Sequence, residues 1–135
     1  MATQTLSQPV ESNLLRFSLR LDSAVVALSG VLFIAAARPI VDFLGVGAPW
    51  MFISMGFIHF AYTVYLWWLS ARQPISDVLA LGAVLVNVVW VLASAVILFT
   101  GWLPLTNAGW WAVAIVADLV GLIAGLQFYA WWKQR

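Results

Sequence analysis

No cysteine occurs in this chain, and there is a single histidine. The first absence excludes disulfides, thiolate metal sites and cysteine nucleophiles. The second excludes a metal site built from several histidines of one chain. Charge is scarce too. Only 8% of the 135 residues are charged, where a soluble domain carries roughly a quarter, so a water-facing surface cannot be covered. A formal net charge of +1 with no large basic patch argues against a nucleic-acid partner. No Ser-His-Asp arrangement, paired-Glu site, phosphate loop or metal-ligand cluster can be assembled. The expectation is a non-enzymatic protein, and no motif specifies a cofactor.

What fills the chain instead is apolar. Hydrophobic residues make up 64% of it, and the mean hydropathy is +1.01. Between Asp77 and Asp118 there is no Asp, Glu, Lys or Arg. That stretch has room for two membrane crossings, since one helix needs about 20 apolar residues. Four apolar segments stand out, at about 13–37, 49–69, 76–100 and 109–132. They are continuously apolar, without the alternation of barrel strands. A helix also satisfies its own backbone hydrogen bonds in lipid. Pro39, Pro49, Pro74 and Pro104 fall between the segments, where a missing N–H does least harm. Glu11-Ser12 and Ser76-Asp77 suit N-caps of the first and third helices. The predicted fold is all-α: a polytopic membrane protein with a cytoplasmic tail over 1–12 and a single four-helix transmembrane domain over 13–135. Arg16, Arg20 and the run Ala35–Ala37 also fit a cleavable signal peptide, but an internal repeat treats this segment as a structural helix.

The repeat is visible in a doubled aromatic signature. Tyr65, Trp67 and Trp68 return, 64 positions on, as Tyr129, Trp131 and Trp132. Ser54 lands on Asp118 and Ala61 on Gly125 with the same shift. A shift of 65 carries Asp22 onto Asn87, Ser29 onto Ser94, Ala36 onto Gly101 and Pro39 onto Pro104. The two halves, about 13–72 and 76–135, therefore read as one helical hairpin written twice. Each copy crosses twice, so the copies enter in the same direction and form a parallel repeat.

Arg16, Arg20, Arg72, Lys133 and Arg135 fall on one side of the four segments and Arg38 alone on the other. The positive-inside rule then places both termini in the cytoplasm. Trp67, Trp68, Trp131 and Trp132 would mark that interface, and Trp50, Trp102, Trp110 and Trp111 the opposite one. The outer segment "RPIVDFLGVGAP" has the character of a short interfacial helix.

Spacings of seven lay Asp22, Ser29 and Ala36 along one helix face, and Asn87, Ser94 and Gly101 along its counterpart. Ser54, Ala61 and Tyr65 share a face of the second helix, as do Asp118, Gly125 and Tyr129 on the fourth. All four faces are small and polar, and are expected to point toward the bundle axis, where such residues pack and bond. Gly121 and Gly125 form a GxxxG that supports close packing of the fourth helix. Asp118, roughly 13 Å below the outer end of its helix, must be protonated, paired or hydrated. It is a candidate for proton or ligand handling, or else helix glue bonded to Ser54 or Asn87. Asp22 is either an interfacial N-cap or, by the repeat, an intramembrane residue reached by Arg20 or Arg72. His59 lies off the repeated face, and is a candidate for a partner contact or for ligating a haem shared with a partner. Trp90, with Phe57, Phe60, Tyr62 and Phe99, is either core packing or the lining for a flat apolar ligand such as a quinone.

The stretches "LRLDSAVVALSGVLFIAAARPIVDFLG" and "NVVWVLASAVILFTGWLPLTNAG" carry the pairs Leu21-Asp22, Arg38-Pro39 and Leu44-Gly45, together with Asn87 and Trp90. Over residues 19–132 this pattern resembles a loose group of small bacterial four-helix inner-membrane proteins. In layout it is also distantly similar to the DoxX-like membrane proteins. The resemblance implies a bacterial inner membrane and four helices, and no reaction. The function expected is a helical subunit or self-associating scaffold in a homo-oligomer or larger membrane complex. The alternatives are a transporter or lipophilic-ligand binder using Asp118, Asp22 and Asn87, and a haem- or quinone-linked redox subunit.

Overall fold

The computed structural model describes residues 10–135. These form five helices and no strand: α1 (Val10–Ala35), α2 (Ala37–Leu44), α3 (Pro49–Ala71), α4 (Asp77–Thr100) and α5 (Asn107–Lys133). All but α2 are long and apolar enough to cross a membrane. The tail expected over 1–12 lies outside the described residues as far as residue 9. Helix is already present at Val10, so Glu11 and Ser12 sit within α1 rather than capping it.

Local sequence explains where the helices stop. In a continuous helix the ring of Pro39 would strike the carbonyl of Ala35. The chain turns instead at Ala36 (φ −118°, ψ 27°) and restarts as α2, the short helix expected in this segment. Pro49 opens α3 at its first position, where the missing N–H was unpaired anyway. The Ser76 hydroxyl oxygen accepts a bond from the Leu79 N–H at 3.4 Å and caps α4, as expected. Thr106 caps α5 in the same way, accepting from Gly109 N–H at 2.9 Å. Gly101 ends α4 in the left-handed region at φ 64°, which suits a residue without Cβ. Ala36 and Gly101 are thus helix ends, not the packing positions expected of them. A Cβ on Gly101 would meet nothing within 4 Å.

Neighbouring helices run antiparallel. The first hairpin, α1 against α3, closes on two glycines. A Cβ on Gly56 would lie 2.6 Å from Ile34 Cγ1 and 2.9 Å from the Gly30 carbonyl oxygen. The repeat puts Ala95 and Val120 at the matching positions, so the second hairpin, α4 against α5, lacks this contact. Helix α1 also packs on α5, while α3 reaches α4 through long side chains. Tyr62 and Tyr65 donate their hydroxyls to the Ala83 and Leu79 carbonyls at 3.2 and 2.8 Å. The end of α2 rests on the start of α5, with Thr106 N–H donating to the Leu44 carbonyl at 2.9 Å.

A buried hydrophobic cluster lies where α1 and α4 begin and α3 and α5 finish. Leu15, Leu19, Leu66, Leu69, Ala80 and Trp131 meet there. Trp131 is only 7% exposed, and its indole N–H donates to the Asp77 carbonyl at 3.1 Å. It is therefore a core residue, unlike Trp67, Trp68 and Trp132, which are exposed. The basic residues collect at this same end. Arg16 donates to the Ser70 and Arg72 carbonyls. Arg72 lies 4.1 Å above the Trp68 ring and Arg20 5.3 Å above Trp67. Arg135 covers Trp131 at 4.5 Å and Lys133 covers Tyr129 at 5.5 Å.

Candidate functional site

The two positions matched by the 65-residue shift meet inside the bundle. Asp22, on α1, is 2% exposed and Asn87, on α4, 4% exposed. Asn87 Nδ2 donates to Asp22 Oδ2 at 2.7 Å. A third residue completes the cluster. Gln127, fully buried on α5, donates from Nε2 to the same Asp22 oxygen at 2.7 Å. It also accepts at Oε1 from Asn87 Nδ2 at 3.1 Å. Three helices are thereby joined by a closed triangle of one carboxyl and two amides. Such bonds average about 0.6 kcal/mol each between membrane helices, with a maximum near 1.7 kcal/mol. Their value here is in fixing which helices meet and at what height.

Asp22 is accordingly an interior residue, as the repeat requires, and not an interfacial N-cap. Arg20 and Arg72 do not serve it, because both guanidinium groups lie over tryptophan rings. Gln127 was not expected in the site. One signal could have found it: a 64-residue shift places it on Thr63. Thr63 stands on α3 beside the cluster, its carbonyl accepting from Ser23 Oγ at 3.4 Å. Its own Oγ1 is buried without a hydrogen-bond partner among the described residues. Threonine is too short to repeat from α3 what Gln127 does from α5.

The other faces divide. Ser94 is buried and Ser29 half-buried along the axis. Each hydroxyl donates back to its own helix, to Trp90 and Val25 carbonyls at 2.9 Å. Ser54, Ala61, Asp118, Gly125 and Tyr129 are all exposed, contrary to the expected inward faces of the second and fourth helices. Only Tyr65 of those two faces turns in, through its bond to Leu79. Geometry explains the reversal. Gln127 follows Asp118 by nine residues, and Thr63 follows Ser54 by nine, which is two and a half helical turns or about 180°. Burying Gln127 against Asp22 sends Asp118 outward. Asp118 consequently bonds to neither Ser54 nor Asn87. The GxxxG is also unused within the chain: a Cβ on Gly125 would meet nothing, and one on Gly121 only Val91 Cγ2 at 3.8 Å.

His59 moves the opposite way. It is not off-axis but sits between α1 and α4, its ring edge-on to Phe33 and Trp90 with centroids 5.1 and 5.7 Å away. Its Nδ1 bonds to the Met55 carbonyl at 2.8 Å. The aromatics grouped with Trp90 do not form a lining, since Phe57 and Phe99 point outward. Among the described residues no three His, Asp or Glu side chains come together as a metal site.

No protein-family model, curated protein or solved structure matches this chain.

Proposed function

We infer that the protein is a non-enzymatic helical subunit of a membrane, working through association of its outer helix faces. The observation that carries this reading is the outward position of Asp118 near the middle of α5. An ionised carboxylate facing lipid at that depth costs at least about 2.5–3.5 kcal/mol, so a protein surface over it is favoured. The rest of the molecule supports the same reading. The links 45–48, 72–76 and 101–106 are each six residues or fewer, too short to build a water-exposed catalytic domain. The buried polar side chains Asp22, Asn87 and Gln127 are bonded to one another. The gathering of Arg16, Arg20, Arg72, Lys133 and Arg135 at one end supports cytoplasmic termini, and the resemblance noted above supports a bacterial inner membrane. Light scattering of the purified protein in mild detergent and in nanodiscs tests the reading. It predicts an oligomer or a complex with a co-purifying protein. A single chain without any companion in both media contradicts it.

A second reading is favoured by one specific feature. Asp22 is a buried carboxyl whose hydrogen-bond partners are two neutral amides. Buried intramembrane acids commonly move protons or cations. In liposomes, D22N should then abolish a proton-coupled flux that the unaltered protein shows. A flux unchanged by D22N, or none at all, leaves the cluster a structural clamp.

A further inference from the structure

Helix α5 carries two polar stripes on opposite sides, and the chain itself uses only one. The unused side follows a heptad. Trp111, Ile115, Asp118, Leu122, Gly125 and Tyr129 are spaced by alternating fours and threes, and every one of them is exposed. Such a 4-3 alternation keeps one seam facing a partner helix along the whole length of a left-handed pair, the commoner crossing in membranes. Leu122 projects from it with 74% of its surface uncovered. Gly125 leaves bare backbone beside it, with open space where a Cβ would be. At the centre of this apolar seam stands Asp118, 11 residues after the start of α5 at Asn107 and 15 before its end at Lys133.

We propose that a second copy of this chain covers this seam, parallel to the first, with the two Asp118 carboxyls hydrogen-bonded to each other at the centre of the contact. The proposal rests on the reading of the protein as a membrane subunit and names its partner. The occupant is fixed by self-complementarity. A protonated carboxyl has one donor and one acceptor, so two of them facing across a two-fold axis satisfy each other. Leu122 and the bare backbone at Gly125 lie one turn apart, so the same axis offers each copy's projecting leucine a gap on the other. A single polar residue in a heptad seam also fixes register and the number of strands. The copies enter the membrane in the same direction, so their α5 helices are parallel. The matching face of α3 in the first half of the repeat carries no carboxyl. It exposes Met51, Ile58 and Ala61, but it has Ser54 where α5 has Asp118, and that hydroxyl donates to its own helix, to the Trp50 carbonyl at 2.8 Å. One such carboxyl per chain pairs two copies at this seam.

Because the chain has no cysteine, single-cysteine variants report the contact without background. I115C and L122C lie on the seam. F57C and V89C, on exposed faces of α3 and α4, are the controls. Oxidation by copper-phenanthroline in native membranes should convert I115C and L122C to a species of twice the chain mass, at least about fivefold more than the controls. Adding D118L or G125L to L122C should lower that yield by at least about fivefold, while D118N, which keeps a donor and an acceptor, should retain most of it. Circular dichroism of each variant confirms that the helices are formed. Cross-linking of the seam no stronger than of the controls, in a protein that still scatters light as an oligomer, overturns this interface and leaves the subunit reading intact. A cross-linked or co-purified partner of different mass on this face overturns the second copy as occupant. A single chain in detergent and nanodiscs overturns both.

Discussion

Asn87 donates to Asp22 across 2.7 Å although 65 residues separate them, and that separation is the period of the internal repeat. The two residues stand at the same place in the two copies of the hairpin, on the two helices that face each other diagonally through the bundle. A contact between equivalent positions lies on or near the axis relating the copies. Gln127 then breaks the symmetry by bonding to Asp22 from one side only.

The triangle should act as a unit. Removing the carboxyl in D22A strips an acceptor from two buried amides, and each unsatisfied group costs about 1–3 kcal/mol. N87A should cost a similar amount. In a double-mutant cycle followed by unfolding in denaturing detergent, the pair should show a coupling of about 0.5–1.7 kcal/mol. Additive losses would mean that the two side chains do not interact.

Thr63 gives the opposite expectation. Its hydroxyl is buried and unpaired among the described residues, so T63V keeps the shape and removes a dissatisfied group. Stability should stay within about 0.5 kcal/mol or rise. A loss above about 1 kcal/mol in the same unfolding assay would show that the hydroxyl has a partner.

The glycines divide by what a methyl group would strike. G56A places a Cβ 2.6 Å from Ile34 Cγ1 and against the backbone of α1, and overpacking of this kind costs about 1–3 kcal/mol. G125A adds its methyl to open space and should leave the unfolding midpoint of the isolated chain within about 0.5 kcal/mol. Equal sensitivity at both positions would contradict the packing of the first hairpin.

The neighbouring tryptophans near the C-terminus should also behave differently. W131A empties part of the core and removes the bond to Asp77, a change of about 3–5 kcal/mol for a buried tryptophan. W132A, on the exposed side, should be several-fold milder. Thermal midpoints in one detergent compare them directly, and similar losses would place both rings at the surface.

The sequence displayed the helices plainly, because four long apolar runs punctuated by proline admit little else. It also marked Asp22 and Asn87 as equivalent positions, but not as partners. The partner expected at Asp22 is Arg20 or Arg72, and Asn87 is offered to Asp118, because periodicity does not show that equivalent residues on diagonal helices meet at the axis. Which side of α3 and α5 faces inward was not legible. Each of these helices carries two polar stripes about 180° apart, Ser54 against Thr63 and Asp118 against Gln127, and periodicity weighs both alike. The choice is made by contacts between distant segments. Gly56 must approach Gly30, and Gln127 has the reach to bond Asp22. The doubled Tyr-x-Trp-Trp misled in one respect for the same reason. Trp67 and Trp131 are equivalent in the repeat, yet only Trp131 finds a backbone carbonyl, that of Asp77, to hold it in the core.

Native mass spectrometry of the protein released from its own membranes shows whether this chain is a unit of a larger membrane assembly. The expected species is an assembly whose mass contains the 14.9 kDa chain more than once, and twice where the α5 seam alone closes it. Release of a lone 14.9 kDa chain, from membranes in which a control complex survives intact, would contradict it.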